Sequence, residues 1–162
     1  MSKNLESHIE ELGLVKTTDP DNEKPVFRRQ GPNGISTFEE LDAKLGEGLR
    51  KSRQEKGLSR ADLATLVGLS EQVYGRYERS SSKMQVSRLI HLSEILGVSP
   101  LSMLFAAAPH IWGKTQEESE ARFRMMKMLD EMPPQTITSV AALLEAVAGL
   151  QDITGDSKTS EE

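Results

Sequence analysis

The chain has 162 residues, 36% of them apolar and 4% aromatic, with no Cys and a formal net charge of −5. That length suits one compact domain with extensions. The absence of Cys sets aside a disulfide scaffold and fits a reducing compartment, and no apolar run reaches the length that spans a bilayer. The acidity is uneven: residues 1–38 carry five basic and six acidic side chains, residues 39–113 ten and nine, and residues 114–162 five and ten. The opening MSKNLESHIEEL is acidic and lacks a long apolar stretch, so neither a secretory signal nor a membrane is expected, and the expected location is cytoplasmic.

In chain order, residues 1–37 make an N-terminal extension, expected to be partly flexible. Leu5, Ile9 and Leu12 mark a short amphipathic helix. TTDPDNEKP and GPNG then break any regular pattern, and Arg28 and Arg29 stand beside Phe27 as a small basic cluster.

A helix is predicted from about Phe38 to Lys56, with Gly57 as its stop. Ser59 is a good N-cap for a second helix starting at residue 60, with Asp62 as a short capping partner, and Leu63, Ala64 and Val67 share one face. Gly68 supplies the chain reversal. Ser70 caps a third helix, in which Val73, Tyr74 and Tyr77 recur at helical spacing while Glu71, Gln72, Gly75, Arg76 and Arg79 lie off that stripe. A fourth runs from about Val86 to Leu96 with Gly97 as its stop, and a fifth opens at Ser99-Pro100. Two short helices around a tight Gly turn, LSRADLATLVGLSEQVYGRYE, read as a helix-turn-helix, a pattern that points at DNA.

At these residues the chain resembles the phage-repressor type of helix-turn-helix regulator, the Cro or Xre family. The resemblance runs without gaps from Leu45 to about Leu104 through LGEGLRKSRQEKGLS, DLATLVGLS, YGRYER and LIHLSEILGVSPLSMLF, roughly a third of the chain. It implies an all-α fold, with a five-helix repressor-like domain over 38–108, and base reading from the start of the helix at 70–79. Gln72 and Arg76 are then the leading readers, Arg suiting guanine O6 and N7 and Gln suiting adenine N6 and N7. Glu71 would accept from cytosine N4 or reject wrong sequences. For all three the bland alternative is a solvated surface residue.

Ser59, Arg60, Ser70, Arg79 and Lys83 fall where the resemblance implies phosphate contacts. Arg28 and Arg29 become a candidate arm for a neighbouring groove, the alternative being a flexible tether. In the resembling family an Arg at position 53 pairs with a Glu at the end of the recognition helix. Glu78 is that Glu, so an Arg53–Glu78 ion pair is expected to fix this helix against the first. Two features depart from the pattern: Gly75 inside the recognition helix, and Ser80, Ser81 and Ser82 where relatives commonly place a Gly. Tyr74 and Tyr77 are read as core.

Met103, Leu104, Phe105, Ile111 and Trp112 either finish that core or form a partner surface. Beyond them, TQEESEARFRMMKMLDEM and, after Pro133-Pro134, QTITSVAALLEAVAGLQ are each apolar at helical intervals. Segment 109–150 is therefore expected to be a C-terminal helical hairpin that pairs two subunits through Phe123, Met126, Leu129, Val140, Leu143, Leu144 and Val147. Packing back onto its own DNA-binding domain is the alternative. Residues 151–162 are expected to be a disordered acidic tail.

Three scattered His, no Cys and no Gly-rich phosphate loop offer no catalytic constellation, and His91 and His110 lie far apart, so no enzyme, metal or cofactor is expected. The reading is a dimeric, sequence-specific transcription regulator, a repressor by analogy, acting on double-stranded DNA. Its rival is an antitoxin-like module that binds a protein partner through its extensions and autoregulates through the helix-turn-helix. A third class is an adaptor whose motif no longer binds DNA.

Overall fold

The structure, a computed structural model, describes residues 3–31 and 34–156, with side chains through residue 149. The chain divides into two compact units, Met1–Phe123 and Arg124–Glu162.

In the first unit, α1 (Lys3–Leu12) leads into an antiparallel hairpin of β1 (Leu14–Thr17) and β2 (Val26–Arg29), paired from Leu14↔Arg29 to Thr17↔Val26. Five helices follow: α2 (Phe38–Glu55), α3 (Arg60–Leu66), α4 (Glu71–Glu78), α5 (Val86–Leu96) and α6 (Pro100–Ala107). A 3₁₀ turn at Pro109–Ile111 precedes α7 (Gln116–Asp130), which begins in this unit. The core joins the apolar stripes of the five helices: Leu49 from α2, Leu63, Ala64 and Val67 around α3, Tyr74 from α4, Leu89, Leu92 and Leu96 from α5, and Met103 from α6. Each fully buried Leu contributes about 2 kcal/mol of transfer free energy.

The hairpin gives regular structure to part of residues 1–37, where a partly flexible extension without a regular pattern beyond a short helix is expected from sequence. A lone two-stranded ribbon is marginal in water, so its ties to α2 matter. Asp19, between the strands, is the chief one. Its Oδ2 accepts from the backbone N–H of Phe38 at 3.0 Å, its Oδ1 accepts from the N–H of Asp21 at 3.2 Å, and Arg28 Nη1 lies 3.5 Å from Oδ2. These donors, Phe38 foremost, hold the Asp19 carboxyl below its ordinary pKa despite burial. Asp19 thus satisfies a first-turn donor of α2 from 19 residues away, beside the capping box that Thr37 forms with Glu40. Arg28 also lies 4.2 Å over the Phe38 ring.

The start of α7 is fixed by close approach. A Cβ on Gly113 would meet the Ser119 backbone N at 2.6 Å, and the fully buried Ser119 hydroxyl donates to the carbonyl of Pro109 at 2.9 Å. Phe123 stacks on Phe105 with ring centroids 4.0 Å apart, and Trp112 completes the cluster at 6.3 Å from Phe105. These aromatics finish the packing of the first unit.

In the second unit, α8 (Pro134–Asp156) starts at a Pro whose missing N–H costs nothing in a first turn. The helix takes in residues 151–156, which the sequence reading gave to the acidic tail. The remainder of that tail, 157–162, lies outside the described residues. Leu143 is 66% exposed and Val147 53%, so the apolar face of α8 is open.

Candidate nucleic-acid interface

The α3–turn–α4 element is built by its caps. Ser59 Oγ accepts from the backbone N–H of Asp62 at 3.1 Å while the Asp62 carboxylate accepts from the N–H of Ser59 at 2.8 Å, closing the capping box. α3 ends at Leu66 with Val67 as its C-cap, and Gly68 takes φ +69°, a left-handed turn that a Cβ makes costly. Ser70 Oγ then accepts from the N–H of Val73 at 3.3 Å and starts α4. In α4 the line Tyr74–Glu78 is buried, Val73 and Tyr77 are half-buried, and Glu71, Gln72 and Arg76 are exposed. Gln72 and Arg76, four residues apart, stand one turn above the other on the outer face.

The inner face is locked by Glu78, whose side chain is fully buried. Arg53 Nε donates to Oε1 at 2.6 Å and Arg53 Nη2 to Oε2 at 3.2 Å, while Arg53 Nη1 donates to the carbonyl of Leu58 at 2.7 Å. Arg60 Nε adds a bond to Oε2 at 2.8 Å, and the Tyr74 hydroxyl donates to Oε1 at 2.7 Å. Burial by itself would raise the Glu78 pKa, but the donors Arg53, Arg60 and Tyr74 outweigh it and hold the carboxyl below its ordinary value. Burial first, and then Glu78, push the Tyr74 phenol up, so it stays a donor. Behind this network α2 comes very close: a Cβ on Gly46 would meet the carbonyl oxygens of Tyr77 at 2.6 Å and Glu78 at 2.9 Å.

A family profile described as helix-turn-helix matches residues 49–102, which include α3, α4 and the Arg53, Arg60, Tyr74 and Glu78 network. Residues 49–102 form a helix-turn-helix domain. Over 55 residues the chain is 43% identical to the SPbeta prophage-derived uncharacterized HTH-type transcriptional regulator YonR of Bacillus subtilis, covering 34% of this chain and 51% of that protein. It is 33% identical over 75 residues to an uncharacterized HTH-type transcriptional regulator of Sinorhizobium medicae, covering 46% and 53%. The chain thus spans about half the length of the curated relatives it matches. Among solved structures, the clp gene regulator ClgR from C. glutamicum is 29% identical, with 42% of this chain and 88% of that one covered and a TM-score of 0.41.

Within the helix-turn-helix domain the structure brings together Arg53, Arg60 and Glu78, and it puts Glu71, Gln72, Arg76 and Arg79 on the exposed side of α4 and its end. Among the described residues Arg76 and Arg79 have no ion-pair partner. Ser59 and Ser70, expected as phosphate contacts, serve as helix caps. Arg60, expected on phosphate, spends Nε on Glu78 while its side chain stays 39% exposed. Lys83, also expected on phosphate, lies 2.7 Å from Asp21 Oδ2 in the N-terminal loop.

Two expectations are corrected by tertiary contacts. Arg28 is no arm residue, because Asp19 and the Phe38 ring hold it in the hairpin. Phe123 does not stand open for a second subunit, because it is stacked on Phe105. Gly75 is covered by its own helix's Arg79, whose Nη1 would lie 2.9 Å from an added Cβ. At the triple Ser, Ser80 adopts φ 51°, taking the left-handed conformation that Gly adopts at less cost. Gly46, Asp19 and Ser119 were missed from sequence. Only for Gly46 did a signal exist, a Gly between Leu45 and Leu49 inside an otherwise regular helix.

Proposed function

We propose that the helix-turn-helix domain binds double-stranded DNA sequence-specifically, with the outer face of α4 in the major groove, and that the chain regulates transcription as a cytoplasmic homodimeric repressor. The observation that carries this is the division of α4: Tyr74 and Glu78 are tied into the core, which leaves Gln72 and Arg76 exposed in register. Arg76 suits guanine and Gln72 adenine, with Glu71 beside them as an acceptor for cytosine or a selector against wrong bases. Arg79 is the leading phosphate contact. Arg60 joins it through the guanidinium edge that Glu78 leaves exposed, Lys83 by exchanging Asp21 for phosphate, and Ser59 and Ser70 through the helix N-termini they cap.

The dimer reading rests on the open apolar face of α8, where Leu143, Leu144 and Val147 are exposed and Val140 is half-buried, together with Met126 and Leu129 at the end of α7. The same face supports the second reading, an antitoxin-like module in which it holds a different protein and the helix-turn-helix autoregulates.

The test is a titration of the full chain against the DNA upstream of its own gene at two salt concentrations, with a scrambled duplex and Arg76→Ala alongside. Tight binding that weakens with salt, and a loss of about 1–3 kcal/mol of discrimination in Arg76→Ala, is the expected result. Equal weak binding to every duplex overturns the regulator reading.

A further inference from the structure

Away from the outer face of α4, a cleft of about 410 Å³ opens between the N-terminal hairpin and the segment leading into α7, a size within the range of small-molecule sites. Its walls come from stretches far apart in sequence, held together where Gly31 meets the 3₁₀ turn. A Cβ at Gly31 would lie 3.1 Å from His110 Cβ. One part of the lining is apolar: Leu12, Val15 and Ile111. Another is cationic, with Arg29 from β2 and Lys114 from the loop before α7. Among the described residues neither has an ion-pair partner.

The other charges in the lining are mostly spent. Arg122 lies 2.6 Å from Glu118 and also donates to the carbonyl of Trp112 at 2.7 Å, while Glu118 accepts from the Lys114 backbone N–H at 2.8 Å. Glu11 remains, so the lining sums to one positive charge: three cations against two carboxylates. Burial, followed by the cations Arg28, Lys44 and Arg29, holds the His110 imidazole below its ordinary pKa, so at neutral pH it adds no charge. Trp112, between lining residues Ile111 and Gly113, has its indole Nε1 buried without an acceptor.

We propose that this cleft binds a small amphipathic monoanion, a carboxylate or similar acid with an apolar body. The anionic group sits between Arg29 and Lys114, and the body lies on Leu12, Val15 and Ile111. Two unpaired cations suit a carboxylate through charge-assisted hydrogen bonds. The net single charge, with Glu11 at hand, matches one negative charge and disfavours a polyanion. The proposal does not depend on DNA binding, because the lining lies outside α3 and α4.

The chain's only Trp, Trp112, lies in sequence between the lining residues Ile111 and Gly113, and its fluorescence serves as the readout. The experiment titrates the full chain with octanoate and with octanamide, its neutral counterpart, and repeats both on Arg29→Gln, Lys114→Gln and the double variant. Both side chains are exposed, and thermal melting verifies that the variants fold. The expected result is a saturable fluorescence change with octanoate alone, at least about tenfold weaker in the double variant. No saturable change, equal binding of octanamide, or undiminished affinity in the double variant each overturns the proposal.

Discussion

α4 and α8 are both amphipathic helices, yet their apolar sides end differently. α4 is eight residues long, and its inner face carries the Glu78 carboxylate, which accepts from Arg53, Arg60 and Tyr74, and meets a backbone approach from α2 that only a Gly permits. α8 is 23 residues long, and its Leu143, Leu144 and Val147 are exposed. Periodicity marks the side of a helix that is apolar. It does not name what covers that side, which for α4 is a set of neighbours in the same unit.

The largest expected effect comes from the partners of α4. Glu78→Gln leaves Arg53 buried without its counter-charge and is expected to destabilise the first unit by roughly 3–5 kcal/mol, read by denaturant unfolding. The pH dependence follows from the depressed Glu78 pKa. Its contribution is fully present above the ordinary Glu value of 4.5 and fades as pH falls below it, so the gap between wild type and variant narrows in acid. A gap constant down to pH 3 would break the claim that an ionised Glu78 holds the helix.

Gly46→Ala comes next. The added methyl meets backbone oxygens rather than a flexible side chain, and a loss of about 1–3 kcal/mol in thermal or denaturant melts is expected. The helix preference of Ala works the other way, so a stabilised variant would show that α2 and α4 can part without cost.

Ser80→Gly is expected to stabilise by up to about 1 kcal/mol, since Gly relieves the left-handed backbone while raising unfolded-chain entropy, measured as a rise in Tm.

The smallest effect sharpens the other half of the comparison. Leu143→Lys with Val147→Lys is expected to change unfolding of the first unit by no more than about 0.5 kcal/mol. If the face pairs two copies, sedimentation shows the loss of a dimer. Strong destabilisation of the first unit would mean that α8 packs there.

The sequence made legible what depends on neighbours along the chain. Ser59, Asp62, Gly68 and Ser70 act through hydrogen bonds and turns within a few residues, so the bounds of α3 and α4 followed from their spacing. The exposure of Gln72 and Arg76 followed from helical period, because the buried stripe at Tyr74 leaves them outside. The pairing of Arg53 with Glu78, 25 residues apart, was legible only through a family resemblance.

The tertiary structure alone decided which of several equivalent charges pair, and which aromatic faces close. Arg28 goes to Asp19 and the Phe38 ring, Arg60 shares Glu78 with Arg53, Lys83 meets Asp21, and Phe123 stacks on Phe105. Nothing in the spacing of these residues selects such partners. A Coulomb pair or a ring stack is set by distance in space, and that distance exists only after the core of α2 to α6 has brought remote segments together.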